Sequence, residues 1–390
     1  MRRRFVESLS AAAAVAGVAL ILQSTATVAG AGAENGAVPK TAWGHPNIGG
    51  IWLDEFDTPF ERPAQYANNE FFTDQQRQAL DDQRSGASGR NRRVERGSQQ
   101  DVAGAYNAVF TSAKPAGRRT SLVVEPATGR IPALTADGQA RAKADREFRL
   151  RLLQNTQTCK EDERKDQACA GGKYGPPSDR FEDLSPSYNT QRMNRHNGPE
   201  DQSLGDRCML GVTPDFPGFK RIVQGQDQIA ISIDTGQGQG YQRIVYLSGN
   251  HPPSNIRLRH GDSRGRWEGN TLVVETTNFN PKFPFRNLSA ENLKLVERFT
   301  RLNAKTIEYS VTVNDPSVWT APWTVKQELN MQADVDNRFY PEPRCHEGNY
   351  GLPALLVGAR VDEKAFKEGR GPDPRSQDTA TDFGGGGGLQ

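Results

Sequence analysis

Between Arg221 and Met331 the chain breaks into a run of short β-rich segments joined by very short links. No other feature limits the possible folds as much. Arg221–Gln224, Gln228–Ile233, Gln242–Leu247, Thr271–Phe279, Leu293–Leu302, Thr306–Val313 and Trp323–Met331 are rich in Val, Ile, Thr and aromatic residues, with Gly, Asn or Asp between them. Links such as Gly225-Gln226-Asp227 and Asn303-Ala304-Lys305 have room only for hairpins, so neighbouring segments pair antiparallel. Consecutive strands joined this way make a meander, and a meander protects its edges best by curling round. The expected fold is therefore mainly β: an antiparallel meander closing toward a barrel, lipocalin-like or similar, with two N-terminal helices and long irregular loops.

Upstream, Ile48–Leu53, with Trp52, reads as a strand. Thr73-x-x-Gln76 has the form of a capping box and predicts a helix to about Arg84. Ser85–Gln100 is a polar linker. Thr120–Glu125 predicts a strand ended by Pro126 and Gly129, and Thr135 caps a second helix to about Gln154. Residues 159–219 are rich in Pro, Gly and charge and form a long irregular excursion, the kind of loop that often carries function. Pro353–Val357 predicts one or two helical turns with Gly358 as the C-cap. Gly369–Gln390 contains five consecutive glycines and reads as a disordered tail. The domain reading is a leader over 1–33, one β-rich domain over 34–368 and the tail. Within that domain, 34–219 is helical and loop-like and 220–360 is the meander core.

The leader carries Arg2, Arg3 and Arg4 before the apolar run Ala11–Leu22, which is too short to span a bilayer. Ala31-Gly32-Ala33 offers a cleavage site, with Ala29-Gly30-Ala31 as an alternative. The paired arginines before Phe5 suit a twin-arginine leader as well as an ordinary secretory one. Either predicts export, to the periplasm or beyond. The whole chain has 49 basic and 47 acidic residues; the leader's three arginines and Glu7 removed, 46 of each remain. A balanced chain gives no bulk electrostatic case for nucleic acid, and no later segment has the apolar length of a membrane span.

An even count of four cysteines behind a leader points to disulfides rather than metal ligation, and no Cys-x-x-Cys occurs. Proximity pairs Cys159 with Cys169, across a loop of nine residues of which seven are charged. That leaves Cys208 for Cys345.

Several blocks resemble those of a family of exported bacterial hypothetical proteins. They are Arg119–Glu125 with Gly129–Pro132, Gly198–Leu204 with Arg207-Cys208, Gly261–Glu275, Leu295–Arg301 and Cys345–Leu352. Spread from about Ile48 to Arg360, they imply export and a single unit over nearly the whole mature chain. The resemblance brings no reaction with it.

Familiar chemical motifs are absent. Gly236-x-Gly238-x-Gly240 lacks the following helix that would hold a phosphate, so a hairpin loop is the better reading. There is no Walker loop, Gly-x-Ser-x-Gly, Ser-x-x-Lys or His-Glu-x-x-His. Asp334-x-Asp336-Asn337 lacks the rest of a calcium loop. The candidate site rests on the Cys208–Cys345 bridge. Such a bridge sets its two Cα atoms ~5.5–6 Å apart, which gathers Glu200, Asp201 and Arg207 with His346, Glu347 and Tyr350.

His346 is the residue type suited to acid/base work at ordinary pH, and Glu347 or Asp201 could orient it or act as the opposing acid. Arg207 suits an anionic group or a developing oxyanion, with Glu200 and Tyr350 beside the substrate. Trp319 and Trp323, four apart, are expected to share a strand face and offer a surface for a sugar ring or, alternatively, core or barrel-lid packing. His196, His251 and His260 lie in loops that only the fold could recruit. Two functions follow. The first is a metal-independent, cofactor-free hydrolase or lyase acting on a small-molecule or glycan substrate. The second is a noncatalytic barrel for an amphipathic ligand. An apolar cavity would favour the second; a polar cleft holding His346 and two carboxylates would favour the first.

Overall fold

The computed structural model describes residues 37–87, 114–153, 198–199, 202, 204–209, 211, 213–216, 219–236, 239–283, 285–286, 288–332 and 345–372. Its elements in chain order are β1 (Gly50–Leu53), α1 (Asp74–Ala87), β2 (Val123–Glu125), α2 (Ala136–Leu153), β3 (Phe219–Gln224), β4 (Gln228–Gly236), β5 (Gln239–Tyr246), β6 (Asp262–Glu268), β7 (Thr271–Thr277), β8 (Lys294–Arg301), β9 (Thr306–Asn314), β10 (Trp323–Met331) and α3 (Gly351–Lys367). The fold is mainly β. β3 to β10 follow one another round a ring that β1 closes by pairing antiparallel with both β3 and β10. The result is a closed nine-stranded barrel, with β2 as an extra strand on the edge of β10 that β1 leaves open.

Period-two alternation is plainest on β8 and β9. There Leu295, Glu297, Phe299, Arg301, Ile307, Tyr309, Val311 and Val313 are buried while their sequence neighbours are only partly so. Through the cross-strand register the same inward set continues as Leu272, Val274 and Thr276 on β7 and Ile229, Ile231 and Ile233 on β4. Full burial of a Leu, Ile or Phe side chain contributes about 1.5–3 kcal/mol, so this lumen is the main source of stability.

The barrel departs from the expected meander at β6, which the sequence reading passed over. Asp-Ser-Arg-Gly-Arg-Trp-Glu has four charged residues in seven and little β propensity, yet its inward positions are Ser263, Gly265 and Trp267. β6 also lies parallel to β5, paired only at Val245↔Ser263 and Tyr246↔Arg264. Gly265 makes the close approach possible. A Cβ there would stand 2.7 Å from Val245 Cγ1 and 3.0 Å from Leu247 Cδ2. Residues 247–261 connect the two strands.

Both expected helix starts are present. Thr73 N–H donates to Gln76 Oε1 (2.8 Å) and Gln76 N–H to Thr73 Oγ1 (3.1 Å), so the capping box opens α1. Gly138 N–H donates to Thr135 Oγ1 (3.0 Å) at the head of α2. α3 corrects the reading of its region. It runs through Gly358 to Lys367, because the cap signals after Val357 yield to a continuing helical sequence. No helix among the described residues is long and apolar enough to cross a membrane. The leader, Cys159, Cys169 and residues beyond 372 lie outside the described residues.

Candidate functional site

The barrel interior carries charge. Glu297 is fully buried, and Arg243 donates to both of its carboxylate oxygens at 2.6 Å. Tyr309 Oη donates to Glu297 Oε1 at 2.7 Å, and Arg243 also reaches Ser263 Oγ and Thr276 Oγ1 (3.3 and 3.4 Å). Burial works against the Arg243 charge, but the Glu297 carboxylate more than offsets it, so the guanidinium holds its proton above the ordinary arginine value. Burial, then the Glu297 charge, keeps Tyr309 firmly protonated. This is a bidentate pair of the kind that fixes a core, with only Arg243 Nε left without a partner.

Lys220 is a second buried cation. Its Nζ donates to Phe216 O (3.2 Å), which also accepts from Gln327 Nε2 (2.9 Å), so Phe216 is tied to both β3 and β10 at one mouth of the barrel. Burial pulls Lys220 below the usual lysine range, against the charges of Asp215 and Asp54. Burial likewise raises Asp54, opposed by its hydrogen bond from Phe56 N–H (2.9 Å).

At that mouth lies a pocket lined by Gly211, Thr213, Arg259 and His260 on one side and by Phe279, Phe283, Phe285 and Leu293 on the other. The 247–261 connection supplies Arg259 and His260, and Gly261 lets the chain turn into β6. At φ +70°, with 2.6 Å from a hypothetical Cβ to Thr276 Cγ2, that position admits only glycine. His260 stacks on Tyr241 (centroids 4.0 Å apart, planes 8° apart), and its Nδ1 lies 3.1 Å from Thr213 Oγ1.

Burial, with the charges of Arg259 and Arg243, pushes His260 down to about 3, so the imidazole is neutral at any ordinary pH. Burial also lifts the Tyr241 phenol above its usual range. Arg259 donates to the carbonyl oxygens of Met209 and Gly211, and its guanidinium lies over the Phe283 ring at 5.0 Å.

The predicted disulfide is present: Cys208 and Cys345 are bonded, with Cα atoms 5.4 Å apart. Of the residues expected beside it, His346, Glu347 and Tyr350 all lie exposed on the Cys345 side, in and just after a tight turn at Gly348 (φ +82°). Arg207 is half-buried on the Cys208 side. Glu200 and Asp201 lie outside the described residues. The junction is held by Asn349 Nδ2, which donates to Asp206 O (2.8 Å) and lies 3.2 Å from Cys208 Sγ.

Trp319 and Trp323 do not share a strand face. Trp319 sits in the turn before β10, bridged to Leu134, and both rings are buried in an edge-to-face cluster with Phe285 and Phe60. They take the core-packing alternative.

Arg259, Thr213 and the lumen charges went unnoticed in the sequence. A usable signal existed for the lumen: Glu297 and Arg301 share the parity of Leu295 and Phe299, and Arg243 that of Tyr241 and Val245. A charge on the apolar parity of a strand faces inward. Arg259 and Thr213 carry no such mark, since neither lies on a strand. Comparison with protein-family models and with curated proteins returns no match.

Proposed function

We propose that this is an exported β-barrel protein that holds a small amphipathic ligand at the mouth closed by residues 211–216. One observation carries the reading. A pocket walled by Phe279, Phe283, Phe285 and Leu293 converges on a few polar groups, Thr213, Arg259 and His260, which is the usual make-up of a small-molecule site. The pocket is narrow, with room for about one water molecule. A larger ligand therefore enters by shifting Phe283, the wall residue that is half-buried and outside the packed core. His260 near pKa 3 is a poor proton acceptor at neutral pH, where a general base works best close to the ambient pH; this favours holding over turning over. Export is supported by the leader features and by the disulfide.

The test is a fluorescence titration of oxidised protein with 2-naphthalenemethanol. Saturable binding that Phe283→Ala weakens roughly tenfold, the effect of losing one aromatic wall, is the expected result. The absence of binding by this probe and by 2-naphthoate alike would reject the reading.

The Cys208–Cys345 bridge favours a second reading, a hydrolase or lyase using His346, Glu347 and Asp201 at the junction. Turnover in a screen of glycosides, esters and aromatic ethers, lost in His346→Ala with circular dichroism unchanged, would put it first.

A further inference from the structure

Resting on the binding reading, we infer that the polar end of the ligand is an oxyanion, seated on Arg259. The argument is one of uncompensated charge. All the recorded contacts of Arg259 are with neutral groups: two backbone carbonyls and the face of Phe283. No carboxylate among the described residues pairs with it; its Nε is buried without a hydrogen-bond partner, as is that of Arg243, so the missing counter-charge is what sets Arg259 apart. Arg243 makes the contrast. That guanidinium, deeper in the same barrel, is met by two carboxylate oxygens.

Even half-buried, a guanidinium given no counter-charge is held less favourably than one that is paired. Burial, followed by the nearby Arg207, accordingly weakens the hold of Arg259 on its proton. An oxyanion placed there would neutralise the charge, and a guanidinium edge has the geometry for a carboxylate. The apolar wall of Phe279, Phe283, Phe285 and Leu293 then takes the body. The ligand class is a small organic anion with an apolar body.

The experiment compares 2-naphthoate with its neutral counterpart 2-naphthalenemethanol on the full oxidised chain. It includes inorganic phosphate as competitor and repeats the titration in Arg259→Met and Arg259→Lys. Binding of naphthoate tighter than the alcohol by roughly tenfold to a hundredfold is expected, the worth of charge-assisted hydrogen bonds. The preference is expected to vanish in Arg259→Met and to survive in part in Arg259→Lys. Equal binding of the two probes by the wild type overturns the anion assignment and leaves the binding reading standing. Binding of neither removes both. Phosphate competing as well as naphthoate overturns the apolar-body part of the class. Because the wild-type ratio decides the question, a variant that fails to fold does not block the test.

Discussion

Glu297→Gln is the sharpest probe of how the barrel tolerates its own interior. The carboxylate is fully buried, accepts two bonds of 2.6 Å from Arg243 and a third of 2.7 Å from Tyr309, and is the only charge bonded to Arg243 among the described residues. The amide keeps the shape but removes the charge and turns one acceptor into a donor facing a guanidinium. Breaking a buried pair from one side costs about 3–5 kcal/mol, about a fifth or more of a stability of about 5–15 kcal/mol. The same reasoning makes the opposite prediction when the whole group is removed. Arg243→Met with Glu297→Leu and Tyr309→Phe removes both charges of the pair, and Ser263 and Thr276 keep their bond to each other (2.9 Å), so the triple variant should lie close to wild type or above it. Urea unfolding followed by tryptophan fluorescence reads both, with the slope checked for constancy. A Glu297→Gln cost below about 1 kcal/mol would refute the idea that Arg243 depends on this carboxylate. So would a triple variant less stable than the single one, for in that case the network stabilises in its own right.

Three further outcomes follow from the same geometry. Replacing Cys208 and Cys345 by serine opens a crosslink of sequence separation 137 and should cost about 5 kcal/mol by the chain-entropy account, read from the urea midpoint with the slope held. His260 has a folded pKa of about 3, below its unfolded value near 6.5, so the unfolded chain takes up a proton that the folded chain refuses. Its contribution is complete above pH ~6.5 and is lost toward pH ~3. Between pH 7 and pH 5 wild type should therefore lose about 2 kcal/mol more than His260→Asn, and equal losses would show that His260 titrates normally. Gly265→Ala pushes a methyl against Val245 and Leu247 at the narrow β5–β6 pairing and should cost about 1–3 kcal/mol by overpacking, measured as a fall in melting temperature.

What the sequence disclosed and what it withheld divide along physical lines. Segments such as Leu295–Arg301 and Thr306–Val313 alternate apolar with polar, and a curling sheet was the natural consequence. The Thr73–Gln76 cap and the Cys208–Cys345 pairing depend on short-range chemistry or on counting, and both were readable. β6 was not, because its inward residues are Ser263, Gly265 and Trp267, and two of these carry no hydrophobic signal. Nor was the pocket. Arg259 and Thr213 lie 46 residues apart in irregular segments, and only closure of the barrel brings them to one mouth. His346 and Tyr350 drew attention by sitting next to a cysteine, yet adjacency to a bridge fixes where a backbone lies and leaves the side chains free to face solvent.

A ring of nine strands has a consequence of its own. Strands alternating up and down round a closed circle return in phase only when their number is even. With nine, at least one neighbouring pair must point the same way, and here that pair is β5 and β6. Parallel neighbours cannot be joined by a tight hairpin, so the chain has to spend the excursion from residue 247 to 261 to get from one to the other. That excursion carries Arg259 and His260. With the odd step falling between two consecutive strands rather than at the β1 seam, this barrel must possess a long loop there, and its pocket is built partly from that loop.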